Sequence, residues 1–382
     1  MKALVIGSGI GGLTAAIALR RAGIEVSVFE RAGELKEIGA GLSLMANATK
    51  ALNGLGLAGV LRGTGEPITV AEIRRWQGDV LSRVPAWRLA EKVGAGSAAV
   101  HRADLQKTLE WELGDEEITL GAQCVGFEQD DGGVRAFFAD GVERGADLLV
   151  GADGLRSTVR QGLLGDGPPR YAGYTAWRAV VSPEDGLVPA GQALEVWGRG
   201  VRFICARVGQ GRVYWAATKN APEGERDASG MAAKNEILRL CAGWLEPVEA
   251  LVSATDEADI LRTDIYDRDP VRGRWGRGRV TLLGDAAHPM TPDMGQGACQ
   301  AIEDAVALAE RLKAARGVEA ALAAYEKGRA RRTAAIVRGS RRMGRVAQLR
   351  NPLACRLRDA AIRAVPARVQ MRQLEAMVGH RG

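Results

Sequence analysis

Residues 280–304, VTLLGDAAHPMTPDMGQGACQAIED, decide how the chain is read. The run 280–283 is apolar and long enough for a buried strand. Gly284 and Asp285 end it, and Pro289 and Pro292 keep the next segment extended and non-helical. Gly295 and Gly297 then open a helix that continues over 298–312 with no internal Pro or Gly. Two bare glycines at a helix start let a ligand approach the backbone. The unpaired N–H groups and the positive end of the dipole attract an anion there. Asp285, just upstream, is placed to accept a hydrogen bond from a sugar or polyol hydroxyl.

The N-terminus carries a second such corner. Residues 2–6, KALVI, read as a strand, 13–21 show helical periodicity, and 25–30, EVSVFE, read as a second strand. Between the first strand and the helix lies Gly7-Ser8-Gly9-Ile10-Gly11-Gly12, the G-x-G-x-x-G fingerprint in its required strand–turn–helix context. Gly7 makes the turn, Gly9 admits a pyrophosphate, and Gly12 allows helix–strand packing. Glu30, 18 residues beyond Gly12, would accept ribose hydroxyls and repel a 2′-phosphate. This pattern specifies dinucleotide binding without choosing between NAD and FAD. A third corner, LLVGADGLRSTVR at 148–160, ends a strand in Gly151-Ala152-Asp153-Gly154 and starts a helix at Ser157.

The segment 284–305, GDAAHPMTPDMGQGACQAIEDA, closely resembles the flavin-contacting motif of the single-component FAD-dependent aromatic hydroxylases, the para-hydroxybenzoate hydroxylase-like monooxygenases. GSGIGG…E and GADG precede it in the family's order, so the resemblance covers roughly the whole chain. It implies that Asp285 bonds the ribityl chain, that Pro292 lies beside the isoalloxazine, and that the amides of Gly295, Gln296 and Gly297 face its pyrimidine edge. It places Arg102, Arg31 and Val125 among the FAD contacts. The loop carrying Gly41 and Leu42 runs alongside the flavin, and Asp153 and Gly154, with Arg156 and Ser157, support FAD and the pyridine-nucleotide route. Arg202 and Tyr214 are candidates to face the flavin from the substrate sheet, and with Pro292 they form the catalytic set. The chain departs from the family at Asp293, usually Asn, and at Ala46, often Pro.

The implied fold is α/β: a Rossmann-like FAD-binding domain (1–67, 97–170 and 267–327), an inserted antiparallel β-sheet substrate domain (68–96 and 171–266), and a C-terminal helical segment (328–382). Expected along the way are a Gly-rich turn at 37–44, a helix at 47–57, and a hairpin around Gly78-Asp79. A helix follows from His101 through Leu109, with strands at 119–125 and 134–138. Four strands lie between 171 and 219, and a helix spans 231–245. Arg102 sits at a helix start, a poor place for a cation unless an anion is near.

The 382 residues are 46% hydrophobic, ordinary for a globular chain, and no apolar run reaches the length of a membrane span. Five cysteines without a CxxC pair argue against a zinc site or a disulfide framework, which points to no metal and a cytoplasmic location. The net charge is +6, and from Gly328 onward 14 arginines against Asp359 and Glu375 give +12, so the remainder carries −6. Such a tail either touches nucleic acid or anionic lipid, or packs as an Arg-rich helical face on the acidic body; the latter is preferred, with no nucleic-acid partner expected.

The family resemblance implies non-covalent FAD and NADH or NADPH as co-substrate. O₂ is activated as a flavin C4a-hydroperoxide that hydroxylates or epoxidises an electron-rich aromatic or heteroaromatic small molecule. The enzyme would be a monomer or homodimer. No general acid–base pair is nominated, and His288 is expected to pack behind the loop. The alternatives are a flavin halogenase or reductase of the same fold, an NAD-dependent dehydrogenase, or a nucleotide-binding regulator. The halogenase motif WxWxIP is absent.

Overall fold

The computed structural model describes residues 1–34, 40–114, 117–183 and 186–379. Its centre is a five-stranded parallel sheet in the order Val280–Leu282, Leu148–Gly151, Lys2–Ile6, Glu25–Phe29, Ile118–Thr119. The three middle runs are near-continuous apolar sequence because helices and loops cover both faces of a parallel sheet. Helices Ile10–Arg21 and Gly297–Ala314 pack against each other on it. Gly11 sets their approach: a Cβ there would lie 2.9 Å from both the Ala301 methyl and the Leu283 side chain. The chain leaves Lys2–Ile6 between neighbours on opposite sides, so the strand ends open a crevice at the point where the order reverses.

The second layer is a seven-stranded sheet ordered Leu261–Asp267, Arg170–Val181, Val213–Asn220, Val201–Arg207, Gln192–Trp197, Val70–Arg75, Val80–Pro85. It is antiparallel except where Gln192–Trp197 runs parallel to Val70–Arg75. Side-chain alternation divides its faces. Trp177, Phe203 and Trp215 point to one side, with Phe203 stacked on Trp215 at 5.6 Å, under helices Gly230–Leu240 and Val248–Ala254. Tyr174, Arg202 and Tyr214 share the other face, as the register Arg202↔Thr218 and Ala206↔Tyr214 requires.

Several expected elements are divided by glycine turns. The helix expected at 47–57 is two, Ala46–Gly54 and Ala58–Thr64, separated at Gly56, whose φ is +68°. The strand expected at 119–125 is Ile118–Thr119 and Cys124–Gln129, broken at Gly121 with φ +71°. Helix Arg102–Leu113 runs one turn past Leu109. Of the turn at 37–44, residues 37–39 lie outside the described residues, and Gly41–Leu44 is a strand paired with Ser97–His101. Helix Gly230–Leu240 is shorter than 231–245.

The C-terminal region is helical: Val318–Ala347, Pro352–Ala364 and Ala367–Val378. Pro352 and Pro366 lie at the starts of the last two helices, where a missing N–H costs nothing. Part of the basic tail packs on acids of the body. Arg329 reaches Asp304 and Glu303 at 2.6 Å each, Arg332 pairs with Glu303 at 2.8 Å, and Arg341 pairs with Asp267 and Asp269 at 2.7 and 2.6 Å. Helix Val318–Ala347 presses on the Pro292–Met294 turn through two glycines. A Cβ at Gly344 would lie 2.6 Å from Asp293 Oδ2, and one at Gly339 would lie 2.9 Å from Met294 Sδ. Gly344→Ala is therefore expected to destabilise the protein by about 1–3 kcal/mol through overpacking, read from urea unfolding; an unchanged midpoint would show that the turn yields freely.

Candidate active site

The crevice at the strand ends has a volume of about 790 Å³ and is lined by Gly7, Gly9, Glu30, Arg31, Arg102, Asp153 and Gly154, among others. The three fingerprint glycines meet different neighbours. Gly7 has φ +105°, and a Cβ on it would strike the Ala152 carbonyl at 2.5 Å. A Cβ on Gly12 would fall 1.9 Å from the Gly7 carbonyl, so that glycine serves packing. A Cβ on Gly9 would meet no protein atom within 4 Å; the chain leaves this approach clear over the start of helix Ile10–Arg21, which has no side-chain cap. That combination suits a dinucleotide pyrophosphate. Glu30 is fixed at the end of its strand by the Ser8 amide at 2.9 Å and the Ala32 amide at 3.0 Å.

Arg102 begins its helix with its amide bonded to the Ala40 carbonyl at 2.8 Å, and its charge acts on Asp285. Asp153 behaves otherwise than a ligand-binding carboxylate. It accepts hydrogen bonds from the Ser157 hydroxyl and the Thr158 and Val159 amides, holding the start of helix Thr158–Leu164. Burial pushes its carboxyl up, against those hydrogen bonds. Asp153 therefore offers the crevice its backbone, as Gly154 does. Val125 is 52% exposed and follows the crevice-lining Gln123 and Cys124.

The Gly-rich helix start adjoins the turn Gly284–Ala286. Asp285 is reachable by solvent, yet the walls around it desolvate its carboxyl and push it up, with the neighbouring His288 and Arg102 pulling the other way. A Cβ on Gly297 would sit 3.9 Å from Asp285 Oδ1, so carboxylate and helix start face the same space. Gly295 is left-handed at φ +60° and closes the turn Pro292–Met294, on which Pro292 is exposed. Gln296 caps the helix by position only. Its side chain turns inward to Asn47, Gln300 and the Met45 sulfur, so the free donors here are the backbone amides of Gln296 and Gly297; the Gly295 amide, expected beside them, instead donates to the Pro292 carbonyl at 2.8 Å and closes the turn.

Asp304 holds this corner from behind. It accepts from the Gly284 amide at 3.0 Å, His288 Nε2 at 2.6 Å and Arg329 Nε at 2.6 Å, all buried. His288 thus packs behind the loop, against Trp275 at 5.8 Å.

Across from the loop, Arg202 is buried between Asp293 at 3.0 Å and Glu195 at 3.2 Å. Burial opposes its charge, but the two carboxylates outweigh burial and raise its pKa. Asp293 also accepts the Tyr174 hydroxyl at 2.7 Å. Burial first, then the Asp293 charge, pushes that phenol far up. Tyr214 stands over the strand Gly41–Leu44: a Cβ on Gly41 would enter its ring region at 2.4 Å. Gly41 is thus demanded by Tyr214, and Leu42 is half-buried beside it. The sequence reading missed Tyr174, Glu195, Asp304 and Arg329. The shared parity of positions 174, 202 and 214 was the available signal for Tyr174.

Residues 1–340 match the FAD binding domain family. The chain is 44% identical over 363 residues to an aurachin C monooxygenase/isomerase of Stigmatella aurantiaca, covering 95% of this chain and 94% of that one. It is 37% identical over 347 residues to an FAD-dependent urate hydroxylase of Klebsiella pneumoniae, covering 90% and 89%. The solved structure of K. pneumoniae HpxO complexed with FAD and uric acid superposes with a TM-score of 0.93 at 33% identity, covering 99% of this chain and 96% of that one.

Two outcomes follow from the site's geometry. Gly9→Val should fold but copurify without flavin, whereas Gly12→Ala should lose soluble, folded protein; a Gly9→Val protein with full flavin load would contradict the fingerprint geometry. The second concerns acid stability. Burial would raise the carboxyls of Asp304 and Glu303, but the neighbouring cations hold both below their ordinary values of 3.8 and 4.5. Depressed native pKa values give stability that is present above the unfolded values and lost as pH falls through the native ones. Stability should therefore drop steeply below about pH 4.5, and Arg329→Met should flatten that acid limb in pH-dependent denaturation; an unaltered limb would remove the network as its source.

Proposed function

The chain belongs to the single-component FAD-dependent aromatic hydroxylases, a family of monooxygenases, and from that premise we propose that it hydroxylates an electron-rich aromatic or heteroaromatic small molecule with NADH or NADPH as reductant and O₂ as oxygen source. The observation that carries this reading is the uncapped helix start at Gly297 facing Asp285, beside an exposed Pro292, opposite a sheet face bearing Arg202 and Tyr214. Relatives of this chain are named for urate, 3-amino-4-hydroxybenzoate and aurachin C, which supports a ring bearing nitrogen or oxygen substituents.

In this reading 1–67, 97–170 and 267–327 hold the cofactor, and 68–96 with 171–266 supply the substrate side. Gly9, Glu30, Arg31 and Arg102 would hold the adenosine diphosphate portion without a covalent bond, with Gly7 and Gly12 shaping the turn beneath it. Asp285 would accept from the ribityl chain, the amides of Gln296 and Gly297 would address the pyrimidine edge, and Pro292 would flank the ring. Bound FAD supplies the redox chemistry, accepting hydride and activating O₂ when reduced. The protein's part is placement, charge and exclusion of water. Arg202 stays cationic at all ordinary pH because Asp293 and Glu195 outweigh its burial. The phenols of Tyr174 and Tyr214 are both raised, so each is a hydrogen-bond donor rather than a base. The five cysteines are free and buried, which suits a reducing cytoplasm.

The purified protein should be yellow and release FAD on acid precipitation. A panel of phenols and N-heterocycles should contain compounds that accelerate NAD(P)H oxidation and acquire one oxygen atom by mass. Flavin retained in the pellet, or no compound gaining oxygen, would count against the reading. Asp285→Ala should weaken FAD binding by about 1.5–3 kcal/mol, the worth of hydrogen bonds to a charged group, with little change in thermal stability of the apoprotein. An unchanged FAD dissociation constant would take Asp285 out of the site.

A further inference from the structure

Helix Pro352–Ala364 is arranged opposite to what water rewards. Its inner face buries a charged pair, Arg358 and Asp359, each 6% exposed and joined at 2.8 Å, with Arg358 over the Trp197 ring. Its outer face presents Leu353 and Leu357, both 65% exposed. At helical spacing Leu353, Leu357, Ala360 and Ala364 form one apolar stripe. Arg356 and Arg363 flank that stripe, both exposed. The stripe bears no acid, since the helix's only one, Asp359, is turned inward.

The preceding helix adds charge of the same sign. Arg331, Arg338, Arg342 and Arg345 are exposed along one line of Val318–Ala347, with no ion-pair partner among the described residues. The Arg-rich tail therefore has two populations. Arg329, Arg332, Arg341 and Arg358 are used inside the fold, Arg363 pairs with Asp79 at 3.5 Å and Arg350 donates to the Asn220 carbonyl at 2.8 Å, whereas Arg331, Arg338, Arg342, Arg345 and Arg356 face out with no ion-pair partner among the described residues. Solvated arginines alone would need no explanation; arginines flanking exposed leucines on a helix that hides its own acid do.

We propose that helix Pro352–Ala364 docks on an anionic membrane surface, its leucines entering the headgroup boundary and its arginines pairing with lipid phosphates. An interfacial helix requires a polar face rich in arginine and a leucine-bearing apolar face, and anionic headgroups attract each nearby arginine. A second copy of the chain is the poorer occupant. A two-fold pairing of this face brings its arginines together with no acid on the stripe itself to offset them, since Asp79 at its edge is already shared by Arg363 and Arg75. Nucleic acid would leave Leu353 and Leu357 without a partner. No helix among the described residues is long and apolar enough to cross a membrane, so the contact is peripheral.

The test is co-sedimentation of the FAD-loaded full chain with phosphatidylcholine vesicles, with and without phosphatidylglycerol. The expected result is binding that requires phosphatidylglycerol and weakens with added salt. Leu353→Gln/Leu357→Gln should lower the partition coefficient about tenfold while flavin content and NAD(P)H oxidation in free solution stay as in the parent. Arg356→Gln should lower it less. The proposal is overturned if the parent protein ignores anionic vesicles or if the leucine variant partitions equally. A concentration-dependent dimer that the same substitutions dissolve would also overturn it.

Discussion

The carboxylate of Asp304 is buried and carries three partners from two other segments: the Gly284 amide and His288 on one loop, and Arg329 on the long helix. A buried carboxylate is tolerable only when its charge and lone pairs are matched. Here the matching is what joins helix Gly297–Ala314 to the turn Gly284–Ala286 and both to helix Val318–Ala347. The first carries the free amides, the second carries Asp285, and the third closes the back. The position of Asp285 relative to the helix start is therefore set by an ion at its rear rather than by the short turn between them.

On the opposite side, one face of the seven-stranded sheet aligns Tyr174, Arg202 and Tyr214 by pleat parity. Asp293 ties two of these to the Pro292–Met294 turn. The same carboxylate is backed by Gly344, where any side chain would collide with it. Sheet, loop and long helix thus meet at Asp293, much as two helices and a turn meet at Asp304. Under the proposed function, a rigid wall on each side of the loop would hold a cofactor edge and a substrate at a fixed separation.

The sequence made the cofactor half legible because its signals are local. G-x-G-x-x-G with Glu30, GADG, and the Gly-Asp to Gly-rich helix run each span a single strand–turn–helix corner; the first two form as read, while in the third two tight helical turns interrupt the segment expected to be extended, and the helix opens at Gly297 rather than Gly295. The chemistry between distant segments was not legible. Tyr174 lies 119 residues from Asp293, and their contact depends on strand register, which no local pattern encodes. Gly41 reads as a turn residue but is fixed by the Tyr214 ring. Asp153 reads as a ligand by family position, yet its carboxylate is occupied by its own helix start. The Arg-rich tail read as one basic face; only packing separates the arginines that close the fold from those that face outward.

The most direct measurement is the FAD dissociation constant of Asp304→Asn apoprotein, taken by flavin fluorescence quenching beside a near-ultraviolet circular dichroism check of folding. Asn keeps the shape and one acceptor but removes the charge that His288 and Arg329 share. The expected result is a folded protein whose FAD affinity falls at least about tenfold, as when a buried charge pair loses one partner. A folded Asp304→Asn protein that binds FAD as tightly as the parent would contradict it.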